Sequence, residues 1–199
     1  MSINVCNDRS MASITSLPSG VTGSSLVLLS EQTASSSATI DFTSDIDSTY
    51  KEYIFKYINI HPATQSNFSF QVDTGTNTNY NQTITSNSYY AEHSEGDSSS
   101  LSYFDATDQG QGTAFQMISH NPGTDNDSNS NGILHLFDPS NTTFVKHFIG
   151  DSNCTNGNAT SHRNFVAGYV NTTTALTRVR FKFASGNIDS GTIKMYGVV

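Results

Sequence analysis

The amino-acid sequence predicts an all-β fold, an antiparallel β-sandwich that is jelly-roll-like and carries an extended N-terminal arm. Three observations lead there. Charged residues make up only 13% of the chain, while Ser, Thr, Asn and Gly are abundant. The first three compete for backbone hydrogen bonds, and Gly is entropically costly in a helix. Twelve Phe and nine Tyr join many Val, Ile and Thr, which suit a pleated surface. Short alternating segments, about ten in number, are separated by polar turns with no sustained helical period. At 199 residues the chain suits one domain with a genuine core.

Residues 1–24 contain "MASITSLPSGVTGSS", with scattered apolar groups and no period, and read as the arm. The body spans 25–199. "SLVLLSEQ" (25–32) and "SATIDFT" (37–43) flank a Ser-rich turn. "DSTYKEY" is short enough to close one helical turn. "EYIFKYINIH" alternates, which places Tyr53, Phe55, Tyr57 and Asn59 on one face, with Ile54, Lys56, Ile58 and Ile60 on the other. "NFSFQVD" sets Phe68, Phe70 and Val72 against Ser69 and Gln71. The stretch 74–112 is polar, and "QTITSNSYYAE" and "LSYFDA" are its strand candidates. "TAFQMIS", "GILHLFD", "TFVKHFIG", "RNFVAGYV", "TRVRFKFAS" and "GTIKMYGVV" follow, punctuated by "NPGTDNDSNSNG", "DPSN", "TNGN" and "SGN".

The formal net charge of −8 argues against general nucleic-acid binding, which rests on phosphate neutralisation. The charge is uneven: from Arg163 onward five basic residues meet one acid. In "TRVRFKFAS" the basic side chains Arg178, Arg180 and Lys182 share a face opposite Val179, Phe181 and Phe183. That face suits either water or an acidic neighbour. The N-terminus has neither the basic nor the apolar region of a signal peptide. "LVLL" is far too short to span a bilayer, so no membrane insertion is expected. Cys6 and Cys154 form no disulfide framework.

Residues with catalytic or metal-binding chemistry are scattered. His61, His135 and His147 sit in strands without the H-x-H, H-E-x-x-H or C-x-x-C spacing that gathers ligands. They read as architectural, and His93, His120 and His162 read as loop residues. Asp125, Asp127 and Asn129 are spaced like the opening of a calcium loop. Ser130 and Leu136 stand where that loop requires Gly and Glu, and a solvated turn is the alternative. There is no G-x-S-x-G, and the four Glu form no strand-end pair for glycoside cleavage. The reading is of a protein with no catalytic residues, no cofactor and no metal. Seven N-x-S/T sequons are what so much Asn, Ser and Thr produces by composition.

"ASSSATIDFTSDIDSTYKEYIFKYINIHPAT", "GILHLFDPSNTTFVKHFIG" and "SGNIDSGTIKMYGVV" resemble virion structural proteins of tailed bacteriophages, marine and cyanobacterial ones especially. These are fibre, tail or capsid decoration components. "STYKEYIFKYINIHPAT" and "GTIKMYGV" are the most specific parts. The resemblance implies a non-enzymatic virion protein with a β-sandwich body, made in the host cytoplasm and partnered by capsid or tail proteins. Neither coiled-coil heptads nor a repetitive shaft is present, which favours a compact module over a long fibre. Ile14, Leu17 and Val21 then become candidate anchors that dock into a neighbour. A homo-oligomer, with a trimer as first choice, is expected from virion symmetry. The competing class is a receptor-recognition module that binds host surface glycans.

Overall fold

Alternation alone accounts for most of the elements. In the computed structural model, which describes residues 25–199, they form twelve strands, with no helix among the described residues. "DSTYKEY" makes no helical turn. Instead the Asp47 carboxylate accepts the Thr49 N–H at 2.8 Å and Tyr53 bonds back to Asp47, which leads straight into a strand.

The strands pair antiparallel in two sheets. The larger contains, in spatial order, β1 (Leu26–Ser37), β12 (Ile188–Val198), β3 (Glu52–Pro62), β8 (Ser130–Phe137), β9 (Lys146–Asn156), β10 (Thr160–Val170), β5 (Ile84–Ser94) and β6 (Ser99–Tyr103). The smaller contains β2 (Ile40–Phe42), β11 (Leu176–Phe183), β4 (Phe68–Thr74) and β7 (Gln116–Ser119). This is a β-sandwich of unequal layers, where a jelly roll divides eight strands between its two sheets.

The core lies between the layers and is aromatic. Phe181 on β11 sits 5.5 Å from Phe55 and about 6 Å from Phe42, Phe68 and Phe70, ring centre to ring centre. Edge-on, tilted and stacked contacts of this kind add to the area that the rings bury. As the alternation in "TRVRFKF" requires, Val179, Phe181 and Phe183 point inward, while Arg178, Arg180 and Lys182 remain partly exposed.

Two departures from simple alternation matter. In β3 the predicted faces hold through Tyr57, but Ile60 is buried and Asn59 exposed. Pairing with β8 shifts register between Tyr57 and Ile60, and Asn59 takes a left-handed φ of 53°. The extra residue of this bulge returns Ile60 to the core. Opposite, Gly191 has φ 118°, and a Cβ there would stand 2.6 Å from the Asn59 carbonyl oxygen.

In β4 all seven residues are buried, including Ser69, Gln71 and Asp73, which alternation places outward. The segments on either side of β5 and β6 fold over them. Gln71 donates to the carbonyls of Gln82 and Ala114 at 3.0 and 2.9 Å. Asp73 accepts from the Tyr80 N–H and the Gln82 amide. The outward side of β4 is thereby closed, while β11 beside it keeps its basic side chains partly exposed and the outer face of the large sheet is left open.

Candidate interaction interface

Cross-strand register defines that open face residue by residue, since directly opposed residues share a side. One row crosses all eight strands: Tyr103, Tyr89, Phe165, Asp151, Ile133, Lys56, Lys194 and Glu31. The next crosses seven: Asn87, Ala167, Ile149, His135, Ile54, Tyr196 and Leu28. Eight large hydrophobic residues are exposed among the described residues. Six of them (Leu28, Ile58, Tyr89, Leu101, Tyr103 and Ile149) lie on this face. Leu101 is 72% exposed, Tyr103 58% and Ile149 50%. Isolated exposed apolar residues are ordinary, but six of the eight on one sheet face make that face the candidate interaction surface.

The face is ordered as well as apolar. Tyr89 stacks on Phe165 with centroids 4.7 Å apart, and the Arg163 guanidinium lies 4.4 Å over Phe165. Arg163 also grips Asp151 through two nitrogens at 3.0 and 2.6 Å. His135 meets Glu52 at 2.5 Å and stacks near Phe137. Lys194 pairs with Glu31 at 3.1 Å. His135 thus lies on the outer side of β8, opposite Leu134 and Leu136, and exposed His147 packs beside Tyr169.

One end of the face holds an open hollow of about 460 Å³, lined by Asn59, His61, Asn126, Ser128, Asn129, Asp189 and Ser190. His61 Nε2 is 3.2 Å from the Asp125 carbonyl, and its Nδ1 is 3.7 Å from the Asp189 carboxylate. The side chains of Asp125 and Asp127 are exposed, and the Asn129 side chain accepts from Asn131. Among the described residues no three His, Cys, Asp or Glu gather to hold a metal.

The basic residues of β11 have partners inside the chain. Arg180 forms a two-pronged pair with Asp41 at 2.7 and 2.6 Å and lies 4.0 Å over Tyr80. Arg178 donates to the Gly75 carbonyl, and Lys182 sits over Phe115. Ile14, Leu17, Val21 and Cys6 lie outside the described residues, as does the whole of 1–24.

Of the three histidines expected in loops, His93 and His162 lie in strands, β5 and β10, while His120 is in the loop that follows β7. His162 is buried, and His120 packs against it. Their rings are 4.8 Å apart, enclosed with Tyr90 and Phe104. Burial, reinforced by the neighbouring His162, lowers the His120 pKa to about 4. Burial likewise lowers that of His162, against the opposing pull of Asn164 and Glu92. Cys154, a free buried thiol nearby, donates to the His120 carbonyl at 3.2 Å, and burial raises its pKa to about 11. The inner face is polar here, so no apolar alternation announces the strand.

The open face has a signal in the sequence. "HFIG", "NFVAGY" and "YIFKYI" are apolar in both phases of the alternation, so whichever phase faces the core, the other carries apolar groups outward. No family model matches the chain, and no curated protein or solved structure is detectably similar to it.

Proposed function

We propose that this chain is a non-enzymatic structural component of a bacteriophage virion. It would be a compact surface module, either a capsid decoration or a short fibre or tail subunit, anchored to the particle through residues 1–24. The sequence resemblance suggests the setting. The observation that carries the reading is the open face of the large sheet, where six of the eight exposed large hydrophobics collect. A protein built for assembly uses such a face as contact area. Cryo-EM of intact phage particles, with antibody labelling of this chain, tests the reading. Regularly placed, multi-copy density that fits the sandwich is the expected result. Purified infectious particles without the chain would refute it.

A second reading, recognition of host surface glycans, is favoured by the hollow around His61 and Asp189, where amide, hydroxyl and carboxylate groups converge. Such groups match the donors and acceptors of a polyhydroxylated ligand. Glycan-array binding by the purified chain that disappears in Asn129→Ala and Asp189→Ala would favour this reading over a purely structural one.

A further inference from the structure

We propose that the open face of the large sheet is a homotypic interface on which two copies of the chain pack sheet to sheet about a two-fold axis. The inference rests on reading this face as an assembly surface, and it specifies the partner.

The first argument is area. Eight strands at a spacing of ~4.8 Å make a sheet ~34 Å wide, and 11-residue strands at ~3.3 Å per residue are ~36 Å long. Shorter β6 and β8 trim the footprint to roughly 1,000 Å². A standard interface needs about 800 Å² from each partner. The face is therefore large enough to hold a stable pair without help from another surface.

The second argument is charge, and it permits a second copy here where it opposes one elsewhere. The chain carries −8 overall, so two copies repel each other across most orientations. The face carries Glu31, Glu52, Asp151 and Asp189, with Asp108 bonded to Tyr103 at its edge, against Lys56, Arg163 and Lys194, a balance of −2. Most of the excess acid lies elsewhere. On the face, Asp151 is paired with Arg163 and Glu31 with Lys194 inside each chain. Two copies meeting here therefore repel less than in other orientations. A strongly basic partner would find little on this face to attract it.

The third argument is relief. Small Ala167 and Gly168 on β10 floor a hollow of about 380 Å³ walled by Tyr169, Ile149 and His147. Leu101 and Tyr103 project from β6 on the same face. A two-fold contact is self-complementary, so each copy offers its projection to the other's recess. Tyr anchors seated in such recesses are the usual source of interface energy. A two-fold contact pairs copies, where virion symmetry alone favours a trimer.

The test uses the full chain in sedimentation velocity and native mass spectrometry over about 1–100 µM, a range that resolves micromolar association. Ile149→Asp and Tyr89→Asp place a charge at the centre of the face on exposed side chains, and circular dichroism checks that they fold. Thr76→Asp adds the same charge on an exposed loop of the other layer. A concentration-dependent dimer is expected, weakened at least about tenfold by each face variant and unchanged by Thr76→Asp. A monomer throughout, a closed trimer, or a dimer indifferent to both face variants would overturn the proposal. A monomeric chain that still occupies particles defeats this inference and leaves the virion reading intact. A face-dependent dimer absent from particles does the reverse.

Discussion

Acid should loosen this sandwich through His120. In the folded chain burial and the His162 ring hold its pKa at about 4, against 6.5 for the free side chain. The unfolded chain therefore takes up the proton first. Stability is complete above about pH 6.5, is lost as pH falls toward 4, and levels off below that, where both states are protonated. At 1.36 kcal/mol per tenfold, the gap corresponds to about 3.4 kcal/mol, and partial exposure of His120 reduces this to roughly 2 kcal/mol. Geometry agrees with the sign. The Asn121 amide approaches His120 Nε2 at 3.2 Å, Nδ1 has no partner, and the only acid among the groups that shift this pair, Glu92, stands 3.9 Å from His162. Urea denaturation at pH 7.5, 6.5, 5.5 and 4.5 measures the slope, and His120→Phe keeps the ring while removing the titration. The carboxylates common to both proteins cancel in the difference. Wild type should lose about 2 kcal/mol more than the variant between pH 7.5 and 4.5. Equal slopes, or an NMR titration of His120 centred at or above 6.5, would refute the reasoning.

Other expectations follow from packing and backbone. Phe181→Ala should cost about 3–5 kcal/mol in urea denaturation, because its ring is fully enclosed by four other Phe rings. Arg180→Ala should cost only about 1 kcal/mol, more than at an ordinary surface because it breaks the two-pronged pair with Asp41. Gly191→Ala should destabilise by at least about 1–3 kcal/mol, since φ 118° strains any Cβ and the Asn59 carbonyl occupies its place. A melting point unchanged by that substitution would show that the bulge relaxes freely. In a Cys6→Ser background, Cys154 should resist a thiol reagent until urea unfolds the chain; prompt labelling of the native protein would contradict its burial.

How far the sequence announces all this varies along the chain. β11 was fully legible, because Arg-Val-Arg-Phe-Lys-Phe alternates without interruption and both phases are chemically distinct. β3 was legible only to Tyr57, since a bulge inserts one residue and the one hint of it in "INIH" is Asn59, a residue type that tolerates left-handed backbone. The outward side of β4 misled because burial there comes from distant segments: Gln71 is satisfied by carbonyls 11 to 43 residues away. His162 was missed because a polar interior gives no hydrophobic period. The open face was written in strands that are apolar in both phases, which a search for one buried side discards.

The closure of β4 on both sides reaches beyond stability. Along β9, where buried and exposed positions alternate, a saturation library should tolerate substitutions at every second site. Along Phe68–Thr74 that oscillation should vanish, with Ser69, Gln71 and Asp73 as intolerant as the Phe residues beside them. Hydrophilic letters there would carry as much information as aromatic ones, because each amide or carboxylate pins a covering segment whose own sequence is otherwise weakly specified. Apart from Gln82, whose side chain bonds Asp73, the freedom of residues 75–83 and 104–115 to vary would then be bounded less by their own side chains than by whether their backbones still present carbonyls and N–H groups to Gln71 and Asp73.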